Sequence, residues 1–215
     1  MFELPLFPLN TVLFPGMPIA LHIFEERYKE MIGACLRHQT PFGVVLIRRG
    51  AEAHGPIAET YPVGCRVHIA ESERLGQGRF NINAIGKDRF RIVGLKHNHP
   101  YLVGMVEAMP LAHAAASRVR AGGRALRPWI DRYLDILSSA GKLEIDHQHL
   151  PRDPIALAYL GAIVLQMPPQ LKQPLLEIDS APVLVDELRH VYRREVALLR
   201  AMLHTPQEEG PFTTN

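Results

Sequence analysis

The chain has 215 residues, of which 47% are hydrophobic and 21% are charged. This composition is that of an ordinary globular protein and excludes collagenous, coiled-coil and disordered classes. The formal net charge is only +2, so the whole-molecule field gives little steering toward nucleic acid or an anionic membrane. Two cysteines, Cys35 and Cys65, are too few for a disulfide framework, which favours a reducing, cytoplasmic setting.

The first distinctive segment is the charge-free run LPLFPLNTVLFPGMPIALHIF at positions 4–24. Its length would suit a membrane-spanning helix, but Pro5, Pro8, Pro15 and Pro18 each lack an N–H donor and would break such a helix. A secretory signal is disfavoured as well, because the amino end carries an acidic residue and the prolines interrupt the apolar centre. We expect this segment to be folded protein with no role in a membrane.

Up to about Pro110 the pattern is mainly that of strands. Apolar runs at 17–23 and 41–47 read as strands, and between them FEERYKEMIGAC at 24–35 has the apolar spacing of an amphipathic helix laid on a sheet. Four further segments with strand-like alternation follow at 63–71, 79–86, 88–97 and 101–108. Short strands at such close spacing suggest a small barrel.

After Pro110 the sequence becomes helical in character. The stretch at 113–137 is interrupted by Gly122-Gly123 and Pro128, which predicts a linker that becomes a helix near Pro128. Asp153-Pro154 predicts the start of a buried helix that stops at Pro168-Pro169, and the last helix should run from about Pro182 to His204. We therefore expect a barrel subdomain at 1–112, a helical subdomain at 113–205 and a flexible tail at 206–215.

No motif for enzymatic chemistry stands out. GQGRFN at 76–81 departs from the dinucleotide fingerprint and precedes a strand, so a hairpin turn is the better interpretation. Gly86-Lys87 and Gly141-Lys142 lack the flanking residues of a phosphate loop. No serine lies in the sequence context of an activated nucleophile. We expect a protein that is not an enzyme and that needs no cofactor.

The 11 histidines raise the question of a metal site. The HNH run at 97–99 and the DHQH run at 146–149 have a spacing that could place two imidazoles on one face of a strand. Both runs lie next to prolines and have no accompanying cysteine ligands or HExxH motif. We interpret them as solvated loop residues and expect no metal.

One basic segment offers an alternative function. Arg118, Arg120, Arg124 and Arg127 precede Trp129, and this combination of dense positive charge with an aromatic ring is used to contact nucleic acid. A solvated helix face or linker explains the same residues without any ligand.

Three blocks of the chain resemble a known family. The opening block PLFPLNTVLFPGMPIALHIFEERYKEMI resembles the signature of the Lon protease N-terminal, substrate-binding domain. YPVGCRVHIAE and GRFNINAIGKDRFRIVG resemble the middle of that domain, and the segment from LQMPPQLKQ onward resembles its closing helices. This resemblance implies an α+β fold: a six-stranded PUA-like pseudo-barrel with one packed helix, followed by a helical bundle. The ATPase and Ser-Lys peptidase modules of the full-length protease have no counterpart in these 215 residues.

The resemblance implies a non-enzymatic module that binds exposed apolar segments of unfolded or tagged polypeptides, as an adaptor related to proteolysis. The residues expected to line its peptide-binding surface are Phe7, Phe14, Met17, Phe24 and Tyr61. A single site of this kind should bind with a Kd on the order of μM to mM and gain from self-association. The alternative is an RNA-binding module that uses the arginines and Trp129, and a small-molecule enzyme that uses the histidines ranks last.

Overall fold

The protein is described here from a computed structural model, which covers residues 1–52, 58–96, 98–139 and 150–204. Six strands form one sheet in the order β2-β5-β4-β3-β1-β6, and an additional pairing joins β5 to β6. Their bounds are β1 Phe2–Leu9, β2 Pro18–Ile23, β3 Phe42–Arg49, β4 Glu59–Arg74, β5 Phe80–Lys96 and β6 Leu102–Ala108.

The β5–β6 pairing turns the sheet into a pseudo-barrel. It closes a ring of β1, β3, β4, β5 and β6, while β2 pairs with the first part of β5 and stands outside that ring. The predicted α+β architecture with a six-stranded pseudo-barrel is confirmed. The segments at 79–86 and 88–97 had been predicted as two strands, and they form the single long strand β5.

Two prolines of the charge-free segment, Pro5 and Pro8, occupy positions in β1 that tolerate them. Pro5 lies opposite Val103 of β6, just before the pairing of β1 with β3 begins at Leu6. Pro8 lies opposite Val45 of β3, beyond the last pair with β6. Each proline therefore sits where β1 pairs on one side only, so the missing N–H costs no ladder hydrogen bond. The segment is folded protein, as the sequence predicts.

The helix α1, Glu26–His38, covers one side of the pseudo-barrel. Its buried residues Tyr28, Met31, Ile32 and Cys35 follow the spacing predicted from the sequence. They pack in one cluster with Phe42 and other apolar residues of the sheet. The hairpin predicted at 76–81 is also confirmed, because a short turn at Gly76–Gly78 joins β4 to β5.

In the described residues after the sheet, the chain forms four helices: α2 Ser117–Ser139, α3 Pro154–Val164, α4 Pro169–Glu177 and α5 Ala181–His204. The N-cap predicted at Asp153 is confirmed, since its carboxylate accepts a hydrogen bond of 2.7 Å from the backbone N–H of Ala156. The buried helix is shorter than expected, because α3 ends at Val164 and α4 starts as a separate helix at Pro169. Neither α2 nor any other described helix is long and apolar enough to cross a membrane.

The prediction of a linker up to Pro128 was wrong. The helix α2 begins at Ser117 and continues through Gly122, Gly123 and Pro128. Both glycines are buried because other helices approach them closely: a Cβ on Gly122 would lie 2.7 Å from Cγ1 of Val185, and one on Gly123 would lie 2.7 Å from Cβ of Pro154. These glycines therefore serve helix packing and do not break the helix.

The sheet and the helices share one buried core. Val12, Phe14, Leu46 and Val63 from the sheet region belong to the same cluster as the buried residues of the helices. The backbone also joins the two parts, since Ala112 forms a parallel bridge with Ser180. The division into subdomains at 1–112 and 113–205 stays a prediction, and the tail at 206–215 lies outside the described residues.

Replacing Gly122 with alanine is expected to lower the free energy of unfolding by about 2 kcal/mol, because the new methyl group collides with Val185 on α5. The matched control is Gly33→Ala in α1, where the nearest atom to the new Cβ is a flexible arginine terminus at 3.4 Å, and helix propensity should stabilise that variant slightly. Urea denaturation measures the free energy of unfolding of both variants. If Val185→Ala does not rescue Gly122→Ala in a double-mutant cycle, the collision is not the cause.

Candidate functional site: an apolar pocket between the sheet and the helices

A cavity of about 440 Å³ lies where the sheet meets the helices. Its walls come from the start of β1, the turn before β2, the middle of β4 and β5, the end of β6 with the segment that follows it, and α3. We call it the junction pocket. It is lined by Phe2, Pro15, Arg66, Lys87, Asp88, Arg89, Phe90, Ala108, Met109, Pro110, Leu111, Ala114, Ile155 and Tyr159.

The apolar wall of the junction pocket follows from the local sequence. Ile155 and Tyr159 are four residues apart on α3 and so lie on the same face of that helix. Pro110 follows the end of β6, and the chain then turns through Leu111 and Ala114 before α2 begins. Met109 is buried, while Leu111, Ile155 and Tyr159 are only partly covered. The pocket thus presents apolar surface that the fold leaves accessible.

Arg89 anchors the helical part beneath this pocket. Its side chain is 3% exposed, and Nη1 donates hydrogen bonds to the backbone oxygens of Leu176, at 2.7 Å, and Ile178. These carbonyls stand at the C-terminal end of α4, where backbone oxygens lack partners within the helix and a cation is favoured. Burial lowers the pKa of Arg89, although a guanidinium stays protonated at neutral pH. The other nitrogen, Nη2, is buried without a hydrogen-bond partner among the described residues.

Two neutral side chains lie close to Arg89. Burial raises the pKa of the Tyr159 hydroxyl to about 12, and the nearby charge of Arg89 opposes that shift. Burial likewise raises the pKa of the Cys65 thiol to about 12. Neither group is ionised at neutral pH, so neither is activated as a base or a nucleophile.

The rim of the junction pocket is positively charged. Arg66 forms an ion pair with Asp88, with Nε 3.1 Å from Oδ2, and both side chains are partly exposed. Lys87 is exposed at the same rim. With Arg89 below, three cations and one carboxylate line the cavity. The electrostatic preference of the site is therefore for a ligand with carboxylate or carbonyl oxygens beside its apolar group.

The structure brings together only two of the five aromatic and methionine residues predicted to bind peptide. Phe7 and Phe24 line a second cavity of about 200 Å³ together with Tyr28. Phe24 is 45% exposed, whereas Phe7 is buried and stacks on Tyr28 with ring centroids 4.2 Å apart. We call this cavity the aromatic groove.

The remaining three predicted residues lie elsewhere. Phe14 is fully buried in the shared core, with its ring centroid 6.5 Å from that of Tyr159, and has no surface to offer a ligand. Met17 and Tyr61 are partly buried and pack against the same core. None of the five lines the junction pocket, and their role in peptide binding stays a prediction.

The junction pocket itself was missed by sequence reasoning. Phe2, Met109, Leu111 and Tyr159 come from three segments far apart in the chain, and each fits an apolar pattern that a core also requires. A binding surface can be distinguished from a core only after folding, by the apolar surface that stays accessible to solvent. The one local signal was Tyr159, a polar aromatic within an apolar helix.

The predicted nucleic-acid residues lie at three separate places. Arg120, Arg124 and Arg127 lie together on one face of α2. Arg118 points to α5, where its Nη2 lies 2.7 Å from Oδ2 of Asp186. The ring of Trp129 is in contact with the guanidinium groups of two other arginines. The distance from the ring centroid to Cζ is 5.0 Å for Arg132 and 5.7 Å for Arg193. An RNA site that uses all five predicted residues at once stays a prediction.

The two histidine runs fall partly or wholly outside the described residues. The DHQH run at 146–149 is not described, nor is position 97 of the HNH run. His99 stacks on Tyr101 with ring centroids 5.2 Å apart. Within the described part of the chain, no group of three or more His, Cys, Asp or Glu side chains is arranged to hold a metal ion.

The chain belongs to the family of Lon substrate-binding domains. The family model for the ATP-dependent protease La (LON) substrate-binding domain matches residues 3–190, which is most of the chain. This match confirms the resemblance found in the sequence. It establishes a substrate-binding domain of the kind found in a protease.

Similar proteins agree with this assignment. The chain is 26% identical to a Lon protease of Paraburkholderia phytofirmans over 89% of this chain and 24% of that protein. It is 30% identical to a Lon protease of Anaeromyxobacter dehalogenans over 49% of this chain and 13% of that protein. The crystal structure of a Lon N-terminal domain protein from Xanthomonas campestris shares the fold, with a TM-score of 0.63 and 23% identity over 87% of this chain and 97% of that one. The chain thus spans a quarter or less of the proteases it matches.

Proposed function

We propose that this protein is a non-enzymatic module that holds exposed apolar segments of unfolded or tagged polypeptides in the junction pocket, as an adaptor for proteolysis. The observation that carries the proposal is the pocket itself: a partly open, mainly apolar cavity of about 440 Å³. Pockets that combine apolar walls with a few placed polar groups are the usual form of a ligand site. Membership of a substrate-binding family supports a polypeptide as the occupant.

The size of the cavity sets the expected affinity. One large apolar side chain gains about 1.5–3 kcal/mol on full burial, and ordering a flexible peptide offsets part of that gain. A segment that inserts one or two such side chains should bind with a Kd on the order of 10 μM to 1 mM. Self-association would raise the apparent affinity for a ligand with several apolar segments.

Ala114→Trp is expected to weaken peptide binding at least about tenfold. Ala114 is exposed and lines the junction pocket, so an indole at this position fills the space that the ligand requires. Ala115→Trp is the matched control, because this neighbouring alanine is exposed but does not line the cavity. Fluorescence anisotropy of a short labelled peptide rich in Leu and Phe measures both affinities.

The same experiment separates the pocket from a nonspecific apolar surface. Equal affinities for Ala114→Trp and the parent protein would contradict the assignment of the junction pocket. Loss of binding in Phe24→Ala alone would instead move the site to the aromatic groove. Thermal unfolding of each variant verifies that the fold is unchanged.

A further inference from the structure

A further cavity, separate from the junction pocket and the aromatic groove, is lined mainly by arginine. It has a volume of about 180 Å³ and lies between α2 and the start of α3. Its walls are Arg120, Gly123, Arg124, Arg127, Arg152, Pro154 and Leu157. None of the residues lining it is acidic. We call it the arginine cavity.

The fold gathers these cations from two elements. Arg120, Arg124 and Arg127 have i, i+4, i+7 spacing and therefore share one face of α2. Arg152 stands just before α3, which comes close because Gly123 has no side chain: a Cβ there would lie 2.7 Å from Cβ of Pro154. Packing between α2 and α3 thus brings a fourth guanidinium to the first three.

The arginines are held to different degrees. Arg127 is half-buried, and its Nη2 donates to the backbone oxygen of Pro151, which fixes the segment that carries Arg152. Nη1 of Arg120 donates to the backbone oxygen of Ala115 at 3.1 Å. Arg124 and Arg152 are exposed and have no hydrogen-bond or ion-pair partner within the described ranges. Within the described part of the chain, these two guanidinium groups therefore have their donors open to a ligand.

Among the described residues that line the cavity, none is acidic. Asp153 adjoins Arg152 in the chain, but its carboxylate accepts the N–H of Ala156 and caps α3. Arg118 belongs to the same helix, yet it is paired with Asp186 on α5 and lies outside the cavity. Four like charges around one small space repel one another and gain most from a compact ligand of high negative charge.

We propose that the arginine cavity is a binding site for a single phosphate group. Guanidinium forks match the geometry of phosphate oxygens and donate to them in pairs. A free phosphate ion and a phosphate of an RNA backbone present the same oxygens, so both fit this site. This site is independent of the polypeptide-binding role proposed for the junction pocket.

The test is calorimetric titration of the full chain with inorganic phosphate at constant ionic strength. We expect saturable binding at one site, weakened about tenfold or more in Arg124→Gln and in Arg152→Gln, because a hydrogen bond to a charged group contributes about 1.5–3 kcal/mol. Arg118→Gln is the control on the same helix and should bind within about twofold of the parent chain. Arg152→Lys keeps the positive charge but loses the paired donors of the guanidinium group. Its affinity for phosphate should lie between those of Arg152→Gln and the parent chain.

Two results would overturn the proposal. One is binding that does not saturate, and the other is an equal loss of affinity in Arg118→Gln and Arg152→Gln, which would mean general charge screening. A parallel titration with single-stranded RNA distinguishes the sources of phosphate. Tighter binding of RNA with the same dependence on Arg124 and Arg152 assigns the site to an RNA backbone, and RNA binding no tighter than free phosphate assigns it to the free ion.

Discussion

Gly64→Ala is expected to destabilise the protein by about 3 kcal/mol. Gly64 lies in β4, and a Cβ at this position would stand 2.4 Å from the backbone oxygen of Val44, 2.6 Å from Cγ1 of Val45 and 2.7 Å from Cζ of Phe90. The first contact is with a backbone atom of the neighbouring strand, which cannot move without disturbing the ladder. Overpacking of this kind costs about 1–3 kcal/mol and sometimes more. Thermal unfolding should show a melting temperature lower by about 6–12 °C.

The control for this prediction is Gly76→Ala in the turn between β4 and β5. No atom lies within 4 Å of the Cβ that this substitution adds. Its effect on stability should therefore stay within about 0.5 kcal/mol. A melting temperature for Gly64→Ala that matches the Gly76→Ala value would show that the sheet relaxes around the methyl group, contrary to the expected collision.

Arg89→Met is expected to cost about 3 kcal/mol in the free energy of unfolding. The substitution keeps much of the buried volume but removes the donor that satisfies the carbonyls of Leu176 and Ile178. Buried acceptors without partners carry a desolvation penalty of about 1–3 kcal/mol each. Because these carbonyls end α4, we also expect α4 to separate more readily from the sheet. Amide hydrogen exchange should be faster in α4 than in the parent protein.

Arg91→Met serves as the control, since Arg91 lies two residues further along β5 and is exposed. We expect it to change stability by less than about 0.5 kcal/mol. If the two variants unfold at the same denaturant concentration, Arg89 is not the anchor of α4. Unchanged exchange in α4 of Arg89→Met would lead to the same conclusion.

The elements that the sequence predicted well are those with a strong local pattern. The helix α1 shows apolar residues at Tyr28, Met31, Ile32 and Cys35, and this periodicity alone determines its buried face. The start of α3 was likewise predicted from Asp153 and Pro154, because capping acts within one turn. The resemblance to the Lon family added the pseudo-barrel, which no single strand pattern reveals.

The errors have a common physical cause, namely contacts between distant parts of the chain. Gly122 and Gly123 carry a helix-breaking signal locally, but the close approach of α5 and α3 makes small residues necessary there. The division of β5 into two strands at Gly86 was wrong for a similar reason. A Cβ at Gly86 would lie 2.4 Å from the backbone oxygen of Phe14, so this glycine marks a close approach within a continuous strand.

The candidate site was even less accessible to sequence reasoning. Aromatic residues such as Phe14 attracted attention because they lie in the distinctive opening segment, yet Phe14 fills the core. The junction pocket depends on how α3 and the segment after β6 meet the middle of β4 and β5, which is a tertiary feature. The arginine cavity could be predicted in part, because three of its four arginines lie close together in the sequence. The fourth, Arg152, is brought to them only by folding.

The anchor at Arg89 and the junction pocket belong to one structural unit. Arg89 lines the pocket and at the same time holds the end of α4. Gln173 on α4 adds a second connection, since its Nε2 donates to the backbone oxygen of Val63 at 3.0 Å. The walls of the pocket are therefore fixed by buried hydrogen bonds, which lowers the entropic cost of ordering the site when a peptide binds.

The most direct measurement is NMR mapping of the peptide complex with ¹³C-labelled methionine and isoleucine methyl groups. The account predicts shift changes centred on the methyl groups of Met109 and Ile155, which line the junction pocket, and their loss in Ala114→Trp. Ile23, which lines the aromatic groove, should shift little. Changes centred on Ile23 with none at Met109 and Ile155 would contradict the account and place the peptide in the aromatic groove.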